Sequence, residues 1–209
     1  MLIDVHTHIT DKKFDEDIEE VIENSNCAVI INNGMNVEDN RKTIELGKKF
    51  CKVKVALGIH PYDIVKMDEK DIEAEIKFIA KQKIIAIGEI GLDYHWDKNH
   101  HEEQKEVFRK VLRLAIKLNK PVIIHTWAGE EDCINILEEE VQDKVPVILH
   151  CFGGRKSLVT RAKELGYYFS VPPSTVRTGN FNTLIKKVPM EQLLTETDAP
   201  WQSPIKGEL

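Results

Sequence analysis

The chain has no CxxC pair. Its four cysteines, Cys27, Cys51, Cys133 and Cys151, are widely spaced. That excludes a disulfide scaffold and a cysteine-rich zinc module, and leaves reduced, mostly buried thiols. No run of about 18 apolar residues occurs, so no membrane-spanning segment is expected. The opening residues MLIDVHTH lack a basic stretch followed by a long apolar one. The expectation is therefore a cytoplasmic protein without a secretory signal. A surplus of positive charge is missing too: 29 lysines and arginines face 35 acids, for a net charge of -6. This argues against tight, nonspecific duplex binding through a basic surface. It does not exclude a nuclease, because bound divalent ions can handle phosphate charge locally. There is no glycine-rich phosphate loop and no G-x-S-x-G elbow, so P-loop and serine-hydrolase chemistry lack support.

What is present is enough apolar sequence for one core. Hydrophobic residues make up 42% of 209, which suits a single domain over 1–209 and is short for two. One rhythm recurs: a short β-branched run, a polar turn, then an amphipathic helix. Eight strands are expected: Leu2 to Val5, Ala28 to Ile31, Val53 to Leu57, Ile84 to Ile87, Val122 to Ile124, Val147 to Leu149, Tyr167 to Ser170 and Leu193 to Thr195. They are short and apolar on both sides, as strands buried in a parallel sheet are. Between them, Phe108, Val111, Leu112, Ala115 and Leu118 share one helix face, in a helix running from about Asn99 to Asn119. Ile72, Ile76 and Ile79 do the same earlier, and Ile134, Leu137 and Val141 later. The pattern predicts an α/β fold of the (β/α)8 TIM-barrel type, with a doubly wound open sheet as the alternative. Only fourteen residues follow the eighth strand. The last helix is therefore expected to be missing and apolar surface exposed beside strands one and eight, with a second copy of the chain as the candidate cover.

The polar residues that look out of place share one topological position. His6 and His8 leave strand one, His60 strand three, Glu89 strand four, His125 strand five, His150 strand six and Asp198 strand eight. In a barrel all arrive at the C-terminal face, where active sites are built. His6 and His8, two apart in extended chain, point the same way, and Asp4 shares their side. Two adjacent imidazoles suit a shared divalent ion. Glu89, between Gly88 and Gly91, is a carboxylate just past an apolar strand and can bridge two ions. His125 and His150 each close an apolar strand. Asp198 can ligate a metal or take a proton from water. His60 is a candidate for substrate phosphate contact, and Glu196 for support of a ligand.

The segments DVHTH, GEIGLDYHW, KPVIIHTW, ILHCFGG and TETDAPW resemble the TatD family of metal-dependent deoxyribonucleases, within the amidohydrolase-like barrels. The resemblance runs in order along nearly the whole chain. It implies a first ion on His6, His8 and Asp198, a second on His125 and His150, and Glu89 bridging them. Two divalent ions follow, magnesium first, with manganese or zinc as alternatives. The implied activity is hydrolysis of DNA phosphodiesters, with some members working from a 3′ end. Asp198 and Glu89 become the catalytic residues, and a single strand or an end the expected partner. Tyr94 and Trp96 follow the bridging carboxylate and are candidates to stack on bases. Arg155 follows HCFGG and is a candidate for a backbone phosphate.

Three departures stand out. Trp127 occupies a place where many relatives carry arginine, which trades a phosphate-binding cation for a stacking surface. Gly154 stands where serine is frequent. Relatives also continue for about one more helix past TDAPW. Three functions remain: DNA phosphodiester hydrolysis, hydrolysis of a small amide, lactone or ester by the same metals, and a noncatalytic barrel. The second often uses a carboxylated lysine on strand four; Glu89 stands there instead.

Overall fold

The computed structural model describes residues 1–179 and 181–207. Its strands are β1 (Leu2–Thr7), β2 (Cys27–Gly34), β3 (Val53–Leu57), β4 (Ala86–Asp93), β5 (Val122–Trp127), β6 (Val147–Leu149), β7 (Tyr168–Val171) and β8 (Leu193–Thr195). They pair in sequence order, every neighbour parallel. This is the expected (β/α)8 barrel. The connecting helices are α1 (Ile18–Asn24), α2 (Val37–Lys49), α3 (Pro61–Ile64), α4 (Glu69–Ile79), α5 (His101–Leu118), α6 (Glu130–Glu140), α7 (Lys156–Glu164), α8 (Thr175–Thr178) and α9 (Asn182–Lys187). None of the described helices is long and apolar enough to cross a membrane.

Helix α5 shows how sequence becomes packing. Val107, Phe108, Val111, Leu112 and Ala115 are buried on the face against β4. Asn119 ends the helix in the left-handed region at φ 51, which asparagine tolerates better than most residues. The outer core lies between the strands and these helices. A second, small cluster takes one side chain from each of five successive strands: Ile31, Ala56, Ala86, Ile123 and Ile148. Only the inside of the curved sheet lets them meet, so they fill the barrel floor.

That floor sets the parity for the mouth, because side chains two residues apart share a face. Ile123 is followed on its face by His125 and Trp127, Ile148 by His150, and Ala56 by Gly58 and His60. On β4 the pairing register shifts between Ile87 and Ile90. Ile90 and Leu92 then pack outward, while Glu89 and Asp93 meet histidines of the mouth. An irregularity of this kind re-aims a side chain.

The strand cores were expected, but several ends lie further on. His6, Glu89 and His125 sit inside β1, β4 and β5 rather than just beyond them. Past β8 the described chain forms turns and no helix. Beside it, Leu2 and Ile3 of β1 are 50% and 38% exposed. The closing contact is made by the Thr195 hydroxyl to the Ile3 carbonyl (2.6 Å) and, toward the mouth, by the Asp198 amide to the His6 carbonyl (2.9 Å) and the His8 amide to the Ala199 carbonyl (2.8 Å). Asp4 adds to it, accepting from the Thr197 hydroxyl at 2.6 Å and the Thr197 amide at 3.0 Å.

Candidate metal centre

The structure brings His6, His8, Glu89, His125, His150 and Asp198 into one buried cluster. Glu89 is its hub. Its Oε2 lies 3.2 Å from His8 Nε2, and its Oε1 lies 3.1 Å from His125 Nδ1, 3.7 Å from His150 Nε2 and 3.8 Å from His6 Nε2. Asp198 Oδ1 lies 3.6 Å, 3.7 Å and 3.9 Å from the Nε2 atoms of His6, His8 and His150. Of the five groups of donors close enough to hold an ion among the described residues, His6–His8–Glu89 and Glu89–His125–His150 share Glu89. Asp198 is held at φ 53, a backbone region where aspartate is one of the better-tolerated side chains.

The outer nitrogen of three histidines is already engaged. His8 Nδ1 lies 2.9 Å from the Asn33 carbonyl, which can only accept, so it carries the proton and leaves Nε2 a lone pair. Glu196 Oε2 sits 2.8 Å from His150 Nδ1, and Asp93 Oδ2 sits 3.0 Å from His125 Nε2. The inner nitrogens, His8 Nε2, His150 Nε2 and His125 Nδ1, converge on two carboxylates, and as neutral rings they would turn lone pairs toward them. His6 Nε2 adds to the crowding at 2.9 Å from His8 Nε2, and its Nδ1 is buried without a partner. Neutral rings facing carboxylates in this way need a cation or a proton between them. Nitrogen and carboxylate donors of this kind fit divalent ions, and carboxylate–histidine pairs are the usual support for such ligands.

Without a cation, protons take that place: burial opposes charge on His8 and His150, yet neighbouring groups, Glu89 for the first and Cys151 and Glu196 for the second, raise both above the ordinary imidazole range. Burial opposes ionisation of Glu89, yet the histidines around it, His6 and His60 foremost, hold it well below the ordinary carboxylate range. Burial pushes Asp198 up to about 6. Burial resists protonation of His125, but Asp93 and Glu89 outweigh it and raise its pKa to about 9. His60 is lowered to about 4 by burial and by His125.

The other nominated residues divide. His60 lies at the cluster's edge, its ring 4.5 Å from that of His125. Its Nδ1 accepts the Tyr62 amide at 3.2 Å, so a neutral ring carries its proton on Nε2. Trp96 and Trp127 stand at the rim, 63% and 45% exposed. Tyr94 and Arg155 are engaged elsewhere. The Tyr94 ring stacks on His101 and its hydroxyl donates to Asp132 at 3.0 Å. Arg155 pairs with Glu131 at 2.8 Å. Both line a cavity of about 360 Å³ between α6 and α7 that contains none of the six clustered residues.

Sequence reading missed Asp93, Asn33 and Trp201. Asp93 is buried, and besides holding His125 its Oδ1 accepts the amides of His95 and Trp96, each at 2.9 Å. The Trp201 ring meets His8 edge-on at 5.2 Å. The GLD of GEIGLDYHW was a usable signal for Asp93, a charged residue at the end of an apolar run. A backbone carbonyl such as that of Asn33 leaves no signal.

The model of the TatD related DNase family matches residues 3–208. The chain is 35% identical over 209 residues to the metal-dependent hydrolase YabD of Bacillus subtilis, covering 98% of this chain and 82% of that one. It is 31% identical over 221 residues to human deoxyribonuclease TATDN3, covering 98% and 80%. Among solved structures, YJJV, a TatD homologue from Escherichia coli, superposes with a TM-score of 0.90 at 26% identity, covering 99% of this chain and 83% of that one. With a barrel whose mouth gathers two donor groups around one carboxylate, and a family match along nearly its whole length, the chain belongs to the TatD-related DNases and is a metal-dependent hydrolase.

Proposed function

We propose that this hydrolase cleaves phosphodiester bonds of DNA at a single-stranded end, with two divalent ions, magnesium first, held by His6, His8 and Asp198 and by His125 and His150, and with Glu89 between them. The observation that carries the reading is the convergence of four histidines on two buried carboxylates. Two-ion centres also serve neutral amides and esters; what favours the phosphodiester is Glu89 standing on β4 in place of a carboxylated lysine, together with the likeness to a deoxyribonuclease. Bound ions would neutralise charge at the phosphate and acidify the attacking water.

The chain's own residues do the rest. Asp198, buried at the mouth beside His6 and His8, would accept the proton of the water that attacks phosphorus as the P–O bond to the leaving sugar breaks. Glu89 stays ionised, because its histidine neighbours favour the anion. Neutral His60 offers its Nε2 proton to a non-bridging phosphate oxygen.

The test is cleavage of an end-labelled single-stranded oligonucleotide in magnesium, manganese or zinc. The wild-type chain is expected to shorten it from an end, to stop in excess EDTA and to recover when the ion is restored. Glu89→Gln and Asp198→Asn are each expected to lose at least about 100-fold in kcat. Cleavage that survives thorough chelation, or both substitutions, would overturn the reading.

A further inference from the structure

At the rim above His125, three aromatic rings order one another instead of being buried. His95 stacks face to face on Trp127, with centroids 4.0 Å apart and planes 6° apart. Trp96 stands edge-on to both, 5.0 Å from His95 and 5.9 Å from Trp127. All three are exposed. Large exposed indoles in a mutually packed group mark a surface made for a partner.

Their position is set by the metal centre. Trp127 shares its strand face with His125, about 6.6 Å further along β5 by strand geometry. The amides of His95 and Trp96 are both held by Asp93 Oδ1, while Asp93 Oδ2 faces His125. One carboxylate thus fixes the rings relative to a candidate metal ligand. Trp201, 40% exposed, stands against His8 on the β1 side. In an eight-stranded barrel that side lies opposite β5. Charge near the Trp127 rim is largely taken up in ion pairs, that of Lys105 with Asp132 at 2.8 Å among them. The first turn of α6 carries Glu130, Glu131 and Asp132, and Arg155 is taken up by Glu131.

We propose that His95, Trp96 and Trp127 form a stacking platform for an unpaired nucleobase, so that the centre selects single-stranded DNA through ring faces rather than through phosphate charge. The inference rests on the phosphodiesterase reading above. Bases inside a duplex have both faces covered by their neighbours, so only an unpaired or terminal base can lie on these rings. Stacking tolerates every base, because each has a π face. A platform built before the substrate arrives loses little ordering entropy on binding.

The test compares three oligonucleotides with the wild-type chain in magnesium: a single strand, the same strand abasic at its terminal three positions, and a blunt duplex. The wild-type chain is expected to prefer the base-bearing strand over the abasic one by about tenfold or more in kcat/KM. The Trp96→Ala/Trp127→Ala double variant is expected to lose that preference, and Trp127→Phe to keep most of it. Quenching of tryptophan fluorescence by the two single strands reads binding apart from cleavage. An equal preference in the wild-type chain and the double variant, with both folded by circular dichroism, overturns the platform while the hydrolytic reading stands. Duplex bound as tightly as single strand overturns it too. A base-dependent binding preference without any cleavage keeps the platform and sinks the hydrolytic reading.

Discussion

Glu196 and Asp93 show how much of a candidate metal site lies outside the residues that would ligate. Each is a buried carboxylate placed on the far nitrogen of a histidine, at 2.8 Å from His150 Nδ1 and 3.0 Å from His125 Nε2. Glu196 is itself held by the Ser170 hydroxyl at 2.5 Å and the Cys151 amide at 3.2 Å. Each carboxylate fixes a tautomer and increases the basicity of the inward lone pair. Glu196→Gln and Asp93→Asn are therefore each expected to weaken manganese binding by about 10- to 100-fold, read by titration calorimetry. Unchanged affinity in both would refute this account. The same Cys151 shows why a cysteine beside the site is not a nucleophile. Burial pushes its thiol well above the ordinary range, against the pull of His150, so the thiolate is scarce at neutral pH.

At the scale of strands and helices, the sequence was most readable where apolar period and burial agree. The bounds of β3, β6 and β8 and the packed face of α5 follow directly from Val53 to Leu57, Val147 to Leu149, Leu193 to Thr195 and the Phe108–Val111–Leu112 spacing. The mouth ends were not readable. Asn32, Asn33, Glu89 and Asp93 look like loop residues, yet they lie inside β2 and β4 and are buried. A barrel strand changes from an apolar floor to a polar mouth without ceasing to be a strand, and no local periodicity reports that. The six clustered residues could be named from their places after apolar runs. The contacts that orient them depend on partners such as Glu196 for His150, 46 residues away. Asp4 supplies a test of barrel closure. Burial raises its pKa from 3.8 to about 6, against its bonds to Thr197. The folded chain thus holds this proton more tightly than the unfolded one. Its contribution to stability is complete below about pH 4 and is lost as pH rises through 6. The stability advantage of the metal-free wild-type chain over Asp4→Asn is expected to shrink between pH 4 and 7 in urea unfolding. An advantage that stays flat or grows would contradict the burial of an ionisable group at this closure.

For the whole molecule, the candidate metal centre and the fold share one set of contacts. The clustered residues come from β1, β4, β5 and the segments after β1, β6 and β8, so ions bound only by the folded chain stabilise all of these elements together. At a free concentration about 100 times the dissociation constant, one ion adds about 2.7 kcal/mol. Chelation is expected to lower the Tm of the wild-type chain by several degrees and to leave that of Glu89→Gln almost unmoved, as scanning calorimetry would show. Equal shifts in the two proteins would mean that the stabilising ions bind elsewhere. The net charge of -6 fits a molecule that meets nucleic acid at one recessed point rather than along its surface.

The closing contact between β1 and the chain after β8 has a direction. At the mouth it is fastened by two backbone hydrogen bonds and the paired bonds of Asp4, and at the floor by the Thr195 hydroxyl beside exposed Leu2 and Ile3. Fraying would then begin at the floor, and amide protons there would exchange with solvent first. It would stop beneath Asp4, because every further step would have to part His6 and His8 from Asp198. Along this seam the contacts thin toward the floor, so opening there would leave the clustered histidines and carboxylates in place.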